Sequence, residues 1–100
     1  HVAGNTGLLA KRIGIVCGSG GESVPAAAAA GCQTLVTGEI KLHDALTAQN
    51  HNMAVVSVGH HQSERFAMER MSQELHKALP DLHCWASLKE ADPLQWIPAT

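Results

Sequence analysis

Three short apolar runs, each ending on a glycine and each followed by a helix-forming stretch, limit what this chain can fold into. They are RIGIVCG (12–18), TLVTG (34–38) and MAVVSVG (53–59). Their apolar residues are nearly contiguous, as in strands of a parallel sheet covered on both faces. Between and after them lie VPAAAAA, EIKLHDALTAQNH and SERFAMERMSQELHKAL, whose composition and period favour helix. Ser23 is placed to cap the first helix, with Pro25 in its first turn and Gly31 at its end. The second is expected to open at Glu39, and the third near Ser63, running to Pro80. Strand and helix repeating at this spacing predict an α/β fold. The expected form is β-α-β units in a three-layer, sandwich-like arrangement around a mostly parallel sheet of about four strands. LHCWAS (82–87) is the candidate for the fourth. One hundred residues suit a single α/β domain over 1–100.

Composition narrows the function. The net charge is −2, with no basic stripe, no Tyr and one Phe, which argues against a dedicated nucleic-acid surface. No apolar run is long enough to span a bilayer, and no signal peptide opens the sequence. Cys17, Cys32 and Cys84 have no C-x-x-C spacing and read as reduced thiols of a cytoplasmic protein. Cys17 and Cys32, in apolar context, are expected in the core. His83 and Cys84, adjacent on a strand, would face opposite ways. His51 and His76 read as solvent-facing and Phe66 as exposed. Trp85 and Trp96 are expected to cover a core or an interface.

In open α/β sheets, ligands gather outside the carboxyl ends of parallel strands. GSGGES (18–23), TGEIKLH (37–43) and GHHQSE (59–64) leave three successive strands at that edge. GSGGES lacks the G-K-[ST] of a phosphate loop and the G-x-G-x-x-G spacing, so a tight strand-to-helix turn is its simpler reading. Ser23 and His43 lack the G-x-S-x-G elbow of a hydrolase nucleophile. The ionisable residues are denser. A helix opening at Glu39 would set Glu39 and His43 on one face at i, i+4, and His60 and Glu64 repeat that spacing in reverse order. Glu64 lies four residues before Met68 on the stripe that continues through Met71, Leu75 and Leu79. A carboxylate aimed inward there needs a partner, although acids also favour a helix's first turn. With His60 beside it, imidazole nitrogen and carboxylate oxygen make a common ligand set for zinc, iron or manganese. His43 would either reach across to the same ion or act as an unliganded acid/base.

These segments resemble the carboxyl-terminal half of the NIF-three-like family, whose members are named GTP cyclohydrolase 1 type 2 homologues. VCGSGGES, VTGEIKLHDA, GHHQSE and DPLQWI follow, in order, the family's glycine loop, T-G-D/E-x-K-x-H-D-A, G-H-x-x-S/T-E and D-P-aromatic motifs, across roughly residues 12–97. The resemblance implies a site of two adjacent divalent metal ions between two α/β halves, with His60 and Glu64 as ligands. It implies that the remaining ligands, a paired-histidine motif and an aspartate, lie in an amino-terminal half preceding this segment. His61 replaces the aromatic that usually follows the histidine. The family's habit further implies a homo-oligomeric ring, often a hexamer. On that basis the expected function is metal-dependent hydrolysis of a nucleotide-like or phosphate-containing substrate, with Glu39 and His43 positioning substrate or moving protons. The alternative is a non-catalytic metal-binding scaffold or interaction module.

Overall fold

A computed structural model describes residues 1–99. The chain divides into two compact units, the first His1–Glu64 and the second beginning at Arg65.

The first unit is built on one four-stranded sheet in the order β1-β4-β3-β2, with β1 at Val2–Ala3, β2 at Ile13–Ser19, β3 at Thr34–Glu39 and β4 at Ala54–Ser57. The last three run parallel, with Ile13 beside Thr34 and Thr34 beside Ala54, whereas β1 is antiparallel to β4. The fold class is therefore α/β with one mostly parallel sheet. The fourth strand is not LHCWAS: residues 82–87 form neither strand nor helix, and the short β1 pairs in their stead. A two-residue antiparallel edge carries little apolar patterning, so periodicity does not reveal it.

A 3-10 turn at Gly21–Ser23 leads into α1 (Val24–Ala29), and α2 spans Leu42–Asn50. Pro25 occupies the first turn of α1, where its missing N–H costs nothing. Ser23 precedes that helix, but its side chain accepts no capping hydrogen bond from the first turn. Val24, Leu35, Ala48, Met53 and Val55 form the fully buried core, with Val16, Ala27, Ala28 and Ile40 against it. Each large member contributes about 1.5–3 kcal/mol by leaving water. The strands alternate faces. On the outer strand β2, Ile13, Ile15 and Cys17 form an exposed row while Val16 packs toward the core. Cys17 is thus no core thiol, because it falls on the odd row of an edge strand; Cys32 is half-buried.

The expected long helix from Ser63 is two helices: α3 at His60–Glu64, in the first unit, and α4 at Phe66–Ala78, in the second. The helical backbone starts three residues earlier than Ser63, immediately after Gly59. No residue of α4 is fully buried, and Met68, Met71 and Leu75 remain 44–54% exposed. They line an open pocket of about 430 Å³ together with His83, Cys84 and Trp85. Trp85 and Trp96 are mostly exposed. Phe66, His51 and His76 are exposed as expected. Within this unit, Arg65 holds the start of α4 to the following segment: its Nε lies 3.1 Å from Glu90 Oε2, and its guanidinium donates to the Ser87 carbonyl at 2.6 Å.

Candidate metal centre

The three glycine-terminated strands place their chemistry at one edge. β2 ends beside Gly18, β3 ends on Glu39, and β4 runs through Gly59 into α3, which opens with His60. Crossovers of the same hand returning to parallel neighbours put these three carboxyl ends side by side.

His60 is the centre of the group. Its Nδ1 lies 3.0 Å from Glu39 Oε1, and its Nε2 lies 3.3 Å from Glu64 Oε2. Each of the three side chains is about half exposed. Glu64 reaches the ring because four residues of α3 make about one helical turn. Glu39 reaches it from the neighbouring strand. A carboxylate only accepts, so Nδ1–H donates to Glu39, and a neutral ring then carries its lone pair on Nε2. The Glu39 hydrogen bond, followed by the negative charge of Glu64, holds the His60 pKa above the ordinary histidine value.

The spacing of the pair suits a shared cation. Nitrogen and oxygen ligands at about 2.1 Å, separated by an angle of roughly 90–109°, stand about 3.0–3.4 Å apart. The 3.3 Å between Nε2 and Glu64 Oε2 falls within that span. Glu39 holds the opposite ring nitrogen, the arrangement by which an outer carboxylate fixes a ligating histidine. The donor set therefore fits a divalent cation at two positions. Among the described residues, no group of three or more His, Cys, Asp or Glu side chains is arranged to hold an ion.

The floor beneath the pair is backbone. Gly18 has φ +68°, and a Cβ there would lie 2.5 Å from Glu64 Oε1 and 3.2 Å from His60 Nε2. Only glycine takes this conformation without strain and leaves that space clear. The register of β2 against β3 shifts between Val16 and Ser19, which takes Gly18 out of the ladder. Its two polar groups are held by side chains: the N–H donates to Ser63 Oγ at 2.9 Å, and the carbonyl accepts from Thr37 Oγ1 at 3.2 Å. Ser63 also donates to the His60 carbonyl at 2.8 Å, so it braces α3 internally and does not cap a helix.

Other expected contacts differ. Glu39 and His43 do not share a helical face, because Glu39 ends β3, Lys41 is still extended and α2 begins only at Leu42. Glu39 joins His60, whereas His43 is 75% exposed and stands 3.4 Å from Asp44, its neighbour in sequence. Glu64 does not point into a core, since its side chain is half exposed. Ser63 and Thr37, which sequence reading passed over, are the buried polar residues of the site. Ser63 lies in the quoted GHHQSE motif and Thr37 directly precedes Gly38, but neither carries a charge that draws attention.

Comparison with known proteins agrees with the family resemblance. The family model Duf34/NIF3 (NGG1p interacting factor 3) matches residues 1–93. A Staphylococcus aureus (strain COL) protein named GTP cyclohydrolase 1 type 2 homolog is 34% identical over 98 residues, covering 94% of this chain and 26% of the relative. A protein of the same name from Haemophilus influenzae is 32% identical over 69 residues, 69% of this chain and 28% of its own length. The crystal structure of Staphylococcus aureus protein SA1388 superposes with a TM-score of 0.83 at 32% identity, over 97% of this chain and 29% of that one. The chain thus spans between a quarter and a third of the length of these relatives. With the family model running over nearly the whole sequence, the chain belongs to the DUF34/NIF3 family.

Proposed function

We propose that this chain supplies one histidine–glutamate ligand pair of a divalent-metal centre, and that the protein bearing it is a metal-dependent hydrolase acting on a nucleotide-like or phosphate-containing substrate. The observation that carries the reading is His60, with Nε2 facing Glu64 and Nδ1 tied to Glu39. Relatives named GTP cyclohydrolase 1 type 2 homolog support the substrate class. His60 Nε2 and a Glu64 carboxylate oxygen would hold zinc, iron or manganese, and Glu39 would keep the ring in the ligating tautomer. A bound divalent cation would lower the pKa of a coordinated water and polarise the scissile bond. Two ligands on one chain call for others, so the complete two-ion centre would draw them from a second half or from a partner copy in a homo-oligomeric ring. His43, exposed on α2, remains free to meet substrate or carry a proton.

A second reading is a metal-binding scaffold whose interactions matter and whose turnover does not. Elemental analysis and titration with Mn²⁺ and Zn²⁺ test both. The expected result is uptake by the wild-type chain that is lost in His60→Ala, and a His60→Ala chain with full metal content overturns the ligand assignment. Metal binding without turnover of nucleotides and phosphoesters by the longer protein selects the scaffold.

A further inference from the structure

We propose that Ser63 is a positioning residue for the cation pair, acting through Gly18; this rests on the reading of His60 and Glu64 as ligands. Ser63 is 8% exposed, lies next to Glu64 and carries no role in the ligand set itself. Its hydroxyl bridges two elements. The oxygen accepts the Gly18 N–H from the end of β2 at 2.9 Å, and the hydrogen goes to the His60 carbonyl at 2.8 Å. One hydroxyl group therefore ties the residue that supplies the imidazole to the backbone on which the carboxylate rests.

Three observations make this bridge specific. First, Gly18 has left the β2–β3 ladder, so Ser63 Oγ takes the place of a strand carbonyl for its N–H. A buried N–H left without an acceptor would move toward water or toward another oxygen. Second, Gly18 lies against both proposed ligands, since a Cβ there would come within 2.5 Å of Glu64 Oε1 and 3.2 Å of His60 Nε2. Third, Ser63 is seated closely. A Cβ at Gly38 would lie 2.5 Å from Ser63 Oγ and 2.6 Å from the Gly18 carbonyl, so the backbone of the strand carrying Glu39 packs directly against this hydroxyl. Thr37, 1% exposed, completes the clamp from the opposite side by donating to the Gly18 carbonyl.

The consequence is a division of labour within His60–Glu64. His60 and Glu64 supply ligand atoms, Glu39 orients the ring from outside, and Ser63 sets the spacing of the two ligands by holding the glycine between them. Without the bridge, the ligand side chains stay present but their separation is no longer fixed. Outer partners of this kind change metal affinity by roughly 10–100-fold.

The test uses Co²⁺ as probe, because its visible absorption reports coordination geometry independently of any turnover. Dissociation constant, visible spectrum and thermal melting are measured for the wild-type chain, Ser63→Ala, Ser63→Thr and His60→Ala. The expected result is that Ser63→Ala melts cooperatively yet binds Co²⁺ roughly 10–100-fold more weakly with an altered spectrum. Ser63→Thr, which keeps the hydroxyl, is expected to restore both. Wild-type affinity and spectrum in Ser63→Ala, with binding lost in His60→Ala, overturn the role of Ser63 while the ligand reading stands. Undiminished binding by His60→Ala overturns the ligand reading itself. Should Ser63→Ala fail to fold, Thr37→Val carries the comparison, since it keeps the shape and removes the other hydroxyl that holds Gly18. A weakened, altered Co²⁺ complex in Thr37→Val supports positioning through Gly18, and an unchanged one overturns it.

Discussion

The two compact units hold their residues in different ways. In His1–Glu64, polar and apolar groups alike are fixed: Leu35, Met53 and Val55 are sealed in the core, and the hydroxyls of Thr37 and Ser63 bond backbone at the sheet's edge. In the unit that begins at Arg65, α4 has a clear apolar stripe and buries none of it completely. The difference teaches where precision resides. The proposed ligand pair needs its atoms placed within tenths of an ångström, and it lies in the unit with the closed core and the hydrogen-bonded floor.

Core truncation gives the largest expected effect. Leu35→Ala should cost about 2–5 kcal/mol, seen as a lowered unfolding midpoint in denaturant, because Leu35 is fully buried at the middle of the sheet. Next comes Gly18→Ala, with a destabilisation of about 1–3 kcal/mol from the positive φ, together with weakened metal binding as the new methyl meets Glu64. A Gly18→Ala chain with unchanged stability and metal affinity would contradict the close approach described for that residue. Glu39→Gln keeps shape and removes charge, and should weaken Mn²⁺ or Zn²⁺ binding by roughly tenfold in calorimetric titration.

A subtler effect follows from the raised pKa of His60 in the metal-free chain. The protonated ring is favoured by the fold, so its contribution to stability is complete below the unfolded value near 6.5. That contribution is lost as pH rises through the higher folded value. Imidazole NMR titration should show His60 titrating above an ordinary histidine, and Glu39→Gln should lower it more than Glu64→Gln. The reverse order would show that Glu39 is not the main partner. Smallest of all, Met71→Ala on half-exposed α4 should change stability by less than about 1 kcal/mol, well below the cost at Leu35. Equal losses at the two positions would abolish the contrast between the units.

Much of this was legible beforehand in particular residues. The runs ending at Gly18, Gly38 and Gly59 marked three parallel strands and the edge where they deliver their loops. The His60–Glu64 spacing marked a shared helical face. Other features were not legible. Two-residue β1 lies below any period, and the interruption at Arg65 falls inside a sequence whose helical pattern continues unbroken. Glu39 was joined to the wrong histidine because a helix start shifted from residue 39 to 42 changes which elements a side chain can reach.

Local pattern therefore determined the three parallel strands, most of the helices, the α/β class and the family, since backbone preference and apolar period act over a few residues at a time. Only the tertiary structure decided that Glu39 meets His60, that Gly18 leaves its ladder, and that Ser63 and Thr37 hold it. Those contacts join residues about 20 to 45 positions apart, and their geometry depends on strand order and register. No local sequence window contains that information.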